Sequence, residues 1–262
     1  MSVYRQFTPY EKNQLIKFGQ AKLINNWPVA DHTPVEYLTG KVEFVDQVFK
    51  VNNDVLIPRI ETEQLVNLVK TELLAKLQLV AGPTLLRVAD VGTGSGVIGV
   101  SLFLALQSQF NLEMILSDID PAALTVAAQN LANLVDPVAQ TQFCLLKSDL
   151  LTDYDPHFKL TAIVANLPYI ATNQLAGLPQ SVKNYEPLMA LDGGVDGLQY
   201  ISQLLTQSQQ FLTSNGYVFL ELTEQAELPA KLTRLAMKKG FSYQLIKDQF
   251  HRIRFAVLQR LD

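Results

Sequence analysis

Two short stretches of this 262-residue chain carry residue types that could do chemistry. The first is Asp90-Val91-Gly92-Thr93-Gly94-Ser95-Gly96, in which an acidic residue precedes three glycines at alternate positions. Glycine lets the backbone turn tightly and approach a ligand closely. The spacing differs from the Gly-x-Gly-x-x-Gly of dinucleotide folds, and no Gly-Lys-Ser/Thr of a phosphate loop follows. The acidic residue favours a ligand that carries positive charge or amine donors near its centre.

The residues around these glycines predict a strand, a turn and a helix. A branched apolar run from Leu85 leads into the glycines, and an apolar segment continues to about Leu106. This order places backbone N–H groups and a helix N-terminus against a ligand. S-adenosylmethionine (AdoMet) carries a sulfonium and an α-amino group, so Asp90–Gly96 resembles the first motif of the class I AdoMet-dependent methyltransferases. A glycine-rich connection without a ligand is the alternative.

The second stretch, Asn166-Leu167-Pro168-Tyr169, could orient the nitrogen that accepts a methyl group. An amide or aryl amine nitrogen is a poor nucleophile because its lone pair is delocalised into the neighbouring π-system. The side-chain carbonyl of Asn166 and a backbone carbonyl can each accept one N–H, which turns the lone pair toward the methyl group. Tyr169 supplies a ring that can stack on the planar target.

Strands and helices that alternate along the chain must position both stretches, and they predict an α/β fold. We expect a doubly wound, mostly parallel, Rossmann-like sheet of seven strands, with a C-terminal antiparallel strand pair and a short N-terminal helical and hairpin extension. Beyond the strand that begins at Leu85, the predicted strands are Glu113–Ser117, Gln142–Leu146, Leu160–Ala165, Tyr217–Leu222, Phe241–Ile246 and Phe250–Leu258. The predicted helices are Glu63–Leu77, Pro121–Leu134, Gly197–Leu212 and Glu224–Lys239.

The part of the chain before the sheet predicts three smaller elements. Tyr10–Asn26 has the pattern of one amphipathic helix, and two alternating runs, Pro34–Phe44 and Val48–Val51, indicate a β-hairpin. Asp54–Glu63 predicts a strand, a corner at Pro58 and the start of a helix, with Arg59 and Glu61 as a local ion pair. We therefore divide the chain into a helical segment (1–33), a hairpin and connecting segment (34–62) and a methyltransferase domain (63–262).

Polar residues end the predicted strands where a parallel sheet binds its ligands. Asp118 could accept hydrogen bonds from the two hydroxyls of a ribose, because Asp120, directly before Pro121, is the better helix N-cap. Asp149 could accept a hydrogen bond from an adenine amine, or it could simply form a turn.

Composition and net charge weaken the case for a nucleic-acid substrate without excluding it. The chain is 48% hydrophobic and 18% charged, with a net charge of −4, so no global field attracts it to nucleic acid. The single Cys144 lies in an apolar run, where we expect a core residue, and one cysteine permits no internal disulfide. We find no apolar leader and no apolar run of transmembrane length, so we expect a cytoplasmic protein.

Several separated blocks together resemble the HemK/PrmC-type protein-glutamine N5-methyltransferases, over roughly residues 34–260. Val55–Glu63 is similar to the family's Leu-Ile-Pro-Arg-Pro-Glu-Thr-Glu block and is more specific than the glycine turn. The other blocks are Pro34–Gly40, the hairpin from Phe44 to Lys50, Asp90–Gly96 and Tyr185–Leu198, which is similar to the family's Glu-Pro…Ala-Leu-x-Gly-Gly-x-Asp-Gly-Leu run.

This resemblance implies methylation of the glutamine in the Gly-Gly-Gln loop of a peptide chain release factor, by a protein that we expect to be monomeric. The implied AdoMet-binding residues, which would also hold the product S-adenosylhomocysteine, are Asp90, Gly92, Thr93, Gly94, Gly96, Asp118, Ile119, Asp149, Leu150 and Asn166. The implied catalytic residues are Asn166, Pro168 and Tyr169, and the implied substrate wall adds Leu167, Pro58, Arg59 and Glu186. No metal is implied.

The chain departs from the family pattern in two places. Leu167 replaces the first proline of the family's Asn-Pro-Pro-Tyr, which keeps the backbone carbonyl but loses the rigid ring. The region before Pro34 is shorter than the family's N-terminal helical bundle.

Two other functions stay open. Asn-Leu-Pro-Tyr also resembles the motif of the rRNA adenine N6-dimethyltransferases, and basic clusters at Lys238-Lys239 and His251–Arg254 could contact nucleic acid. A non-catalytic paralogue that binds AdoMet is the third hypothesis.

Overall fold

The computed structural model describes residues 4–77, 85–223 and 227–261. Its strands are β1 (Lys41–Phe44), β2 (Gln47–Lys50), β3 (Leu85–Val91), β4 (Asn111–Asp118), β5 (Phe143–Lys147), β6 (Leu160–Ala165), β7 (Leu212–Glu221), β8 (Phe241–Lys247) and β9 (Ile253–Arg260). Its α-helices are α1 (Pro9–Lys17), α2 (Val35–Thr39), α3 (Ile60–Leu77), α4 (Val97–Leu106), α5 (Pro121–Leu134), α6 (Gln180–Lys183), α7 (Gln199–Phe211) and α8 (Leu228–Lys238).

Seven strands form one sheet in the order β5-β4-β3-β6-β7-β9-β8. The first five are parallel, whereas β9 pairs antiparallel with both β7 and β8. The doubly wound fold predicted from the sequence is therefore confirmed. The chain moves outward from β3 to β5 and then returns to β6 on the other side, so the strand order reverses between β3 and β6. Ligands bind at this kind of switch point in open α/β sheets.

The register of β3 and β6 brings the two chemical stretches together. Val91 at the end of β3 pairs with Ala165 at the end of β6. The glycine turn and Asn166-Leu167-Pro168-Tyr169 consequently leave the sheet side by side. Both strands are mostly apolar and mostly buried, because helices cover both faces of the sheet.

Separate apolar clusters form the core on the two sides of the sheet. One cluster contains α3, α4, α5 and the β1–β2 hairpin, with Phe44, Phe49 and Phe103 among its fully buried side chains. The other contains α7 and α8, with Leu204 and Leu232 fully buried. The helix α4 is apolar on all sides, and that composition suits a helix enclosed between the sheet and its neighbours.

The N-terminal predictions are wrong in two details. The predicted helix Tyr10–Asn26 is divided into α1 and a 3₁₀ helix over Ala21–Asn25, because Gly19 between them has a φ of +77°. Val35–Thr39 forms the helix α2 where a strand was predicted, and Gly40 ends it in the left-handed conformation. The hairpin itself is present as β1 and β2.

Three further predictions need correction. No strand forms over residues 51–59, and Arg59 bonds Glu186 where a local ion pair with Glu61 was predicted. Cys144 is exposed because it lies on the edge strand β5, so it is not a core residue. Residues 171–195, for which no element was predicted, contain α6 and two 3₁₀ helices, Thr172–Gly177 and Leu188–Ala190.

The predicted helix Glu224–Lys239 is present as α8, although residues 224–226 lie outside the described part of the chain. Within that described part, no helix is both long and apolar enough to cross a bilayer. The same residues contain no cluster of His, Cys, Asp and Glu able to hold a metal ion.

Candidate active site

The glycine turn opens onto the larger of two neighbouring cavities. Gly92, Gly94 and Gly96 have φ values of +71°, +55° and +81°, a region in which other residues are strained. A Cβ added at Gly94 would meet nothing within 4 Å, so this glycine faces open space. Gly96 begins α4, and the N-terminus of that helix points toward the turn. The turn therefore offers backbone N–H groups to a ligand, as its glycine spacing predicts.

Asp90 lies beneath the turn and not in the cavity wall. Its Oδ2 accepts hydrogen bonds from Thr93 Oγ1 at 2.6 Å and from the Gly99 backbone N–H at 2.9 Å. Burial raises the pKa of this carboxyl to about 6, although both hydrogen bonds oppose the shift. Its Oδ1 is buried and has no hydrogen-bond partner among the described residues. Asp90 thus shapes the turn from beneath it, and its Oδ1 is buried outside the cavity wall.

Asp118 connects the turn with the next strand. Its Oδ2 accepts a hydrogen bond from the Gly94 N–H at 2.8 Å, and its Oδ1 accepts one from the Asp120 N–H at 3.0 Å. Asp120 caps α5 through the Ala122 N–H, as the sequence predicted. Burial raises the pKa of Asp118, which also lines the cavity and can accept further hydrogen bonds there.

The larger cavity has an empty volume of about 1130 Å³, counted to its open mouth. Its wall brings together Pro58, Gly92, Thr93, Gly94, Asp118, Ile119, Asp149, Leu150, Asn166, Leu167 and Pro168, all of which were predicted site residues. Pro187 and Met189, which lie in the Tyr185–Leu198 block that resembles the family, also line it, together with Tyr200, which no signal in the sequence indicated. Apolar walls, backbone donors and the carboxylates of Asp118 and Asp149 fit AdoMet, which has an apolar adenine, a diol and a positive charge.

A second cavity adjoins the first, and Asn166 and Leu167 are among the residues that line both. Its wall also contains Arg59 and Tyr169, together with the apolar side chains Leu56, Ile170, Leu178, Val182, Ala190 and Leu191. Asn166 is therefore at the boundary between a cavity that fits a cofactor and a cavity that is open to a second molecule. Leu56, Leu167 and Ala190 also line both cavities, so Asn166 carries the one polar side chain among the lining residues that the two cavities share.

A buried ion pair holds the wall of the second cavity. Arg59 Nη2 bonds both carboxylate oxygens of Glu186, at 2.6 and 2.7 Å. Burial raises the pKa of Glu186, and Arg59 opposes that shift. Glu186 itself lines neither cavity, but it fixes Arg59 in the second one while the adjacent Pro187 lines the first. The contact joins residues 127 positions apart.

Thr62 and Glu221, which lie beside Asn166, were not identified as site residues from the sequence. Asn166 Nδ2 donates to Thr62 Oγ1 at 3.2 Å, and Thr62 Oγ1 donates to Glu221 Oε2 at 2.8 Å. The Tyr169 hydroxyl lies 3.5 Å from Glu221 Oε1. Burial raises the pKa of Glu221 to about 7 and raises the pKa of Tyr169. The sequence signal that could have identified Glu221 is its position as an acidic residue at the end of the apolar strand β7.

The reversing strand order, the glycine turn and the acidic strand ends define a class I methyltransferase. Solved structures agree on the fold. The catalytic domain of hMettl16, solved with a MAT2A 3′UTR hairpin, has a TM-score of 0.61 at 16% identity and covers 82% of this chain and 75% of its own. A ribosomal protein L11 methylase from Lactobacillus delbrueckii subsp. bulgaricus has a TM-score of 0.52 at 22% identity, with coverage of 78% and 81%.

Sequence comparison identifies the family. The family model for the methyltransferase small domain matches residues 70–178. Release factor glutamine methyltransferase from Bacillus subtilis is 36% identical over 216 residues, which cover 82% of this chain and 71% of that protein. The corresponding protein of Moorella thermoacetica is 41% identical over 202 residues, with coverage of 77% and 66%. The chain belongs to the release factor glutamine methyltransferase family. It spans 66% of the Moorella relative and 63% of the Lactococcus lactis relative.

Proposed function

We propose that this protein transfers a methyl group from AdoMet to the side-chain amide nitrogen of a protein glutamine. We further propose that this glutamine lies in the Gly-Gly-Gln loop of a peptide chain release factor. The observation that carries the proposal is the position of Asn166, which lines the cavity that fits AdoMet and also the neighbouring cavity. Relatives with 32–41% identity carry the name of this activity, which supports the same substrate.

The proposed mechanism depends on positioning. AdoMet supplies an electrophilic methyl group on its sulfonium. Asn166 Nδ2 donates to Thr62, so its Oδ1 is left to accept one N–H of the substrate amide. The Leu167 backbone carbonyl would accept the second N–H, and together the two acceptors would turn the amide lone pair toward the methyl group. Tyr169 would pack against the planar amide from the wall of the second cavity.

The walls of the second cavity support a neutral substrate group. Seven aliphatic side chains line it, and Glu186 compensates the only guanidinium, that of Arg59, among its lining residues. An uncharged glutamine side chain could enter such a cavity without an unpaired charge on either side. Adenine is also neutral, which keeps N6-adenine methylation as the alternative. However, Arg254 of the C-terminal basic cluster is directed inward, where its Nη1 donates to the Leu222 carbonyl at 3.3 Å.

A methylation assay tests the proposal. We would incubate the protein with AdoMet and recombinant release factor, and read the Gly-Gly-Gln peptide by mass spectrometry. We expect one added methyl group on the glutamine, and its loss in Asn166→Ala. Asn184→Ala, an exposed asparagine at the end of α6, is the matched control and should methylate as the unmodified protein does.

Two outcomes would contradict this function. AdoMet binding without methylation of any release factor would favour the non-catalytic paralogue. Methyl transfer to adenine in RNA or DNA, with none to glutamine, would favour the nucleic-acid alternative.

A further inference from the structure

The proposed mechanism gives no role to the buried carboxylate of Glu221, which lies close to Asn166. Glu221 is 1% exposed and ends β7, next to the end of β6 from which Asn166 follows. It lines neither cavity, but its partners Thr62 and Tyr169 each line one of them. Burying a carboxylate costs free energy, because burial strongly disfavours its charged form. A buried glutamate next to the site therefore calls for a functional explanation. Its Oε2 accepts the Thr62 hydroxyl, and that hydroxyl in turn contacts Asn166.

The direction of these hydrogen bonds follows from their chemistry. An ionised carboxylate can only accept, so the hydroxyl of Thr62 must donate its single proton to Glu221. The hydroxyl oxygen then presents only lone pairs to Asn166. An amide that faces those lone pairs must do so with its NH₂ group, because its carbonyl oxygen would be repelled. The carbonyl oxygen of Asn166 is thereby directed away from Thr62.

We propose that Glu221 is a positioning residue that acts through Thr62 to select one of the two amide orientations of Asn166, with the carbonyl oxygen directed at the substrate amide. This inference rests on the proposed function for the identity of the substrate. The orientation itself is a property of the free protein. A reversed amide would present N–H donors to the N–H donors of the substrate, and such an arrangement cannot support transfer.

The same network makes the orientation depend on pH. Glu61 and Thr62 face Glu221 from α3, Tyr169 faces it from the segment after β6, and Arg254 faces it from β9. Burial raises the pKa of Glu221 to about 7, Glu61 adds to the shift, and the other three oppose it. A protonated Glu221 can itself donate to Thr62, which frees the hydroxyl proton for the Asn166 carbonyl. Selection of the orientation therefore weakens below about pH 7.

The first test is kinetic. We expect Thr62→Val to lower kcat about tenfold, the loss expected when one hydrogen bond to Asn166 is removed. Thr62 lines the larger cavity, but valine has nearly the same shape as threonine, so AdoMet affinity should change little. Thr62→Ser keeps the hydroxyl and should recover most of the loss. Thr71→Val is the matched control on the exposed side of α3, where the hydroxyl bonds only the Asn67 carbonyl. A Thr62→Val protein with unchanged kcat would overturn the inference.

A double substitution separates positioning from a general effect on the fold. If Glu221 acts only through Thr62, then adding Glu221→Gln to Thr62→Val should lower kcat no further. The unmodified protein should lose kcat below about pH 7, and both single variants should lose that inflection. An unchanged inflection in either variant, or independent multiplicative losses in the double variant, would show that Glu221 does not act through Thr62.

A second measurement needs no turnover and no substrate. In ¹⁵N NMR spectra of the free protein, assigned by comparison with Asn166→Ala, the side-chain NH₂ signal of Asn166 should shift with a midpoint near pH 7. We expect that titration to vanish in Thr62→Val and in Glu221→Gln. A titrating signal in a protein that fails to methylate would reject the proposed function and keep the orientation. Full methylation with a signal that does not titrate would reject the orientation alone.

Discussion

The Arg59–Glu186 pair allows a quantitative prediction. Replacing Glu186 with glutamine leaves Arg59 beside a neutral side chain in a mostly apolar wall. Removing one partner of a fully buried pair costs about 3–5 kcal/mol. The Glu186 side chain is only 2% exposed, but that of Arg59 is 34% exposed and keeps part of its hydration. We therefore expect a loss of about 2 kcal/mol in the free energy of unfolding, or roughly 4–8 °C in Tm.

The double replacement Arg59→Met/Glu186→Leu should behave differently. Burial raises the pKa of Glu186 despite the guanidinium beside it, which means that desolvation offsets the attraction within the pair. Apolar side chains of similar volume should therefore restore the free energy of unfolding to within about 1 kcal/mol of the unmodified protein. The restored protein should still lose substrate affinity, because Arg59 lines the second cavity.

Urea denaturation measures these differences in the free energy of unfolding. It would be applied to the unmodified protein, Glu186→Gln, Arg59→Met and the double variant. The control is Glu113→Gln, which breaks the pair of Arg87 and Glu113 with 34% and 40% exposed side chains. The two side chains of that pair are also 2.6 Å apart, yet we expect Glu113→Gln to lower the free energy of unfolding by less than about 1 kcal/mol, because both side chains are exposed to solvent. Equal losses at both pairs, or additive losses in the double variant, would refute the reasoning from burial.

Three other predictions concern the site. Asp118→Ala should weaken AdoMet binding about 10- to 100-fold in calorimetry, because it removes a charged acceptor from the Gly94 N–H. Asn166→Ala should leave the affinity for AdoMet within a few-fold of that of the unmodified protein. Gly193→Ala places a Cβ 2.7 Å from the backbone at Tyr169 and should abolish methylation, whereas Gly177→Ala meets nothing within 4 Å and should not. Between about pH 4.5 and 7, Glu221 keeps its proton in the native protein but loses it in the unfolded chain. The free energy of unfolding, measured by denaturation relative to Glu221→Gln, should therefore fall by up to about 3 kcal/mol as pH rises across that range.

Local signals in the sequence are sufficient for much of the fold. The predicted strand Leu160–Ala165 and the predicted helix Pro121–Leu134 agree with the structure at both ends. Five of the six residues of the strand are apolar because it is buried on both faces, and Asp120 with Pro121 marks the start of the helix. Patterns of this kind depend on near neighbours in the chain, so they can be recognised without the tertiary structure.

Errors occurred where a local pattern permits two structures. Val35–Thr39 alternates as a strand does, but its five residues form one helical turn that the left-handed Gly40 ends. Cys144 has apolar neighbours, but its exposure depends on β5 being the edge strand, which is a property of the whole sheet. Arg59 has an acidic residue two positions away, and the position of Glu186 in space decided its partner.

The sequence by itself determined the strand, turn and helix at Asp90–Gly96, and it indicated that Asn166-Leu167-Pro168-Tyr169 ends a buried strand. Glycine spacing and apolar runs act over a few residues, which is why they are visible in one dimension. Only the tertiary structure decided that these stretches are adjacent, through the pairing of Val91 with Ala165. It also decided that Thr62 and Glu221, separated by 159 positions, meet beside Asn166. Hydrogen bonds act over about 3 Å in space, so distance along the chain gives no sign of such a contact until the sheet has formed.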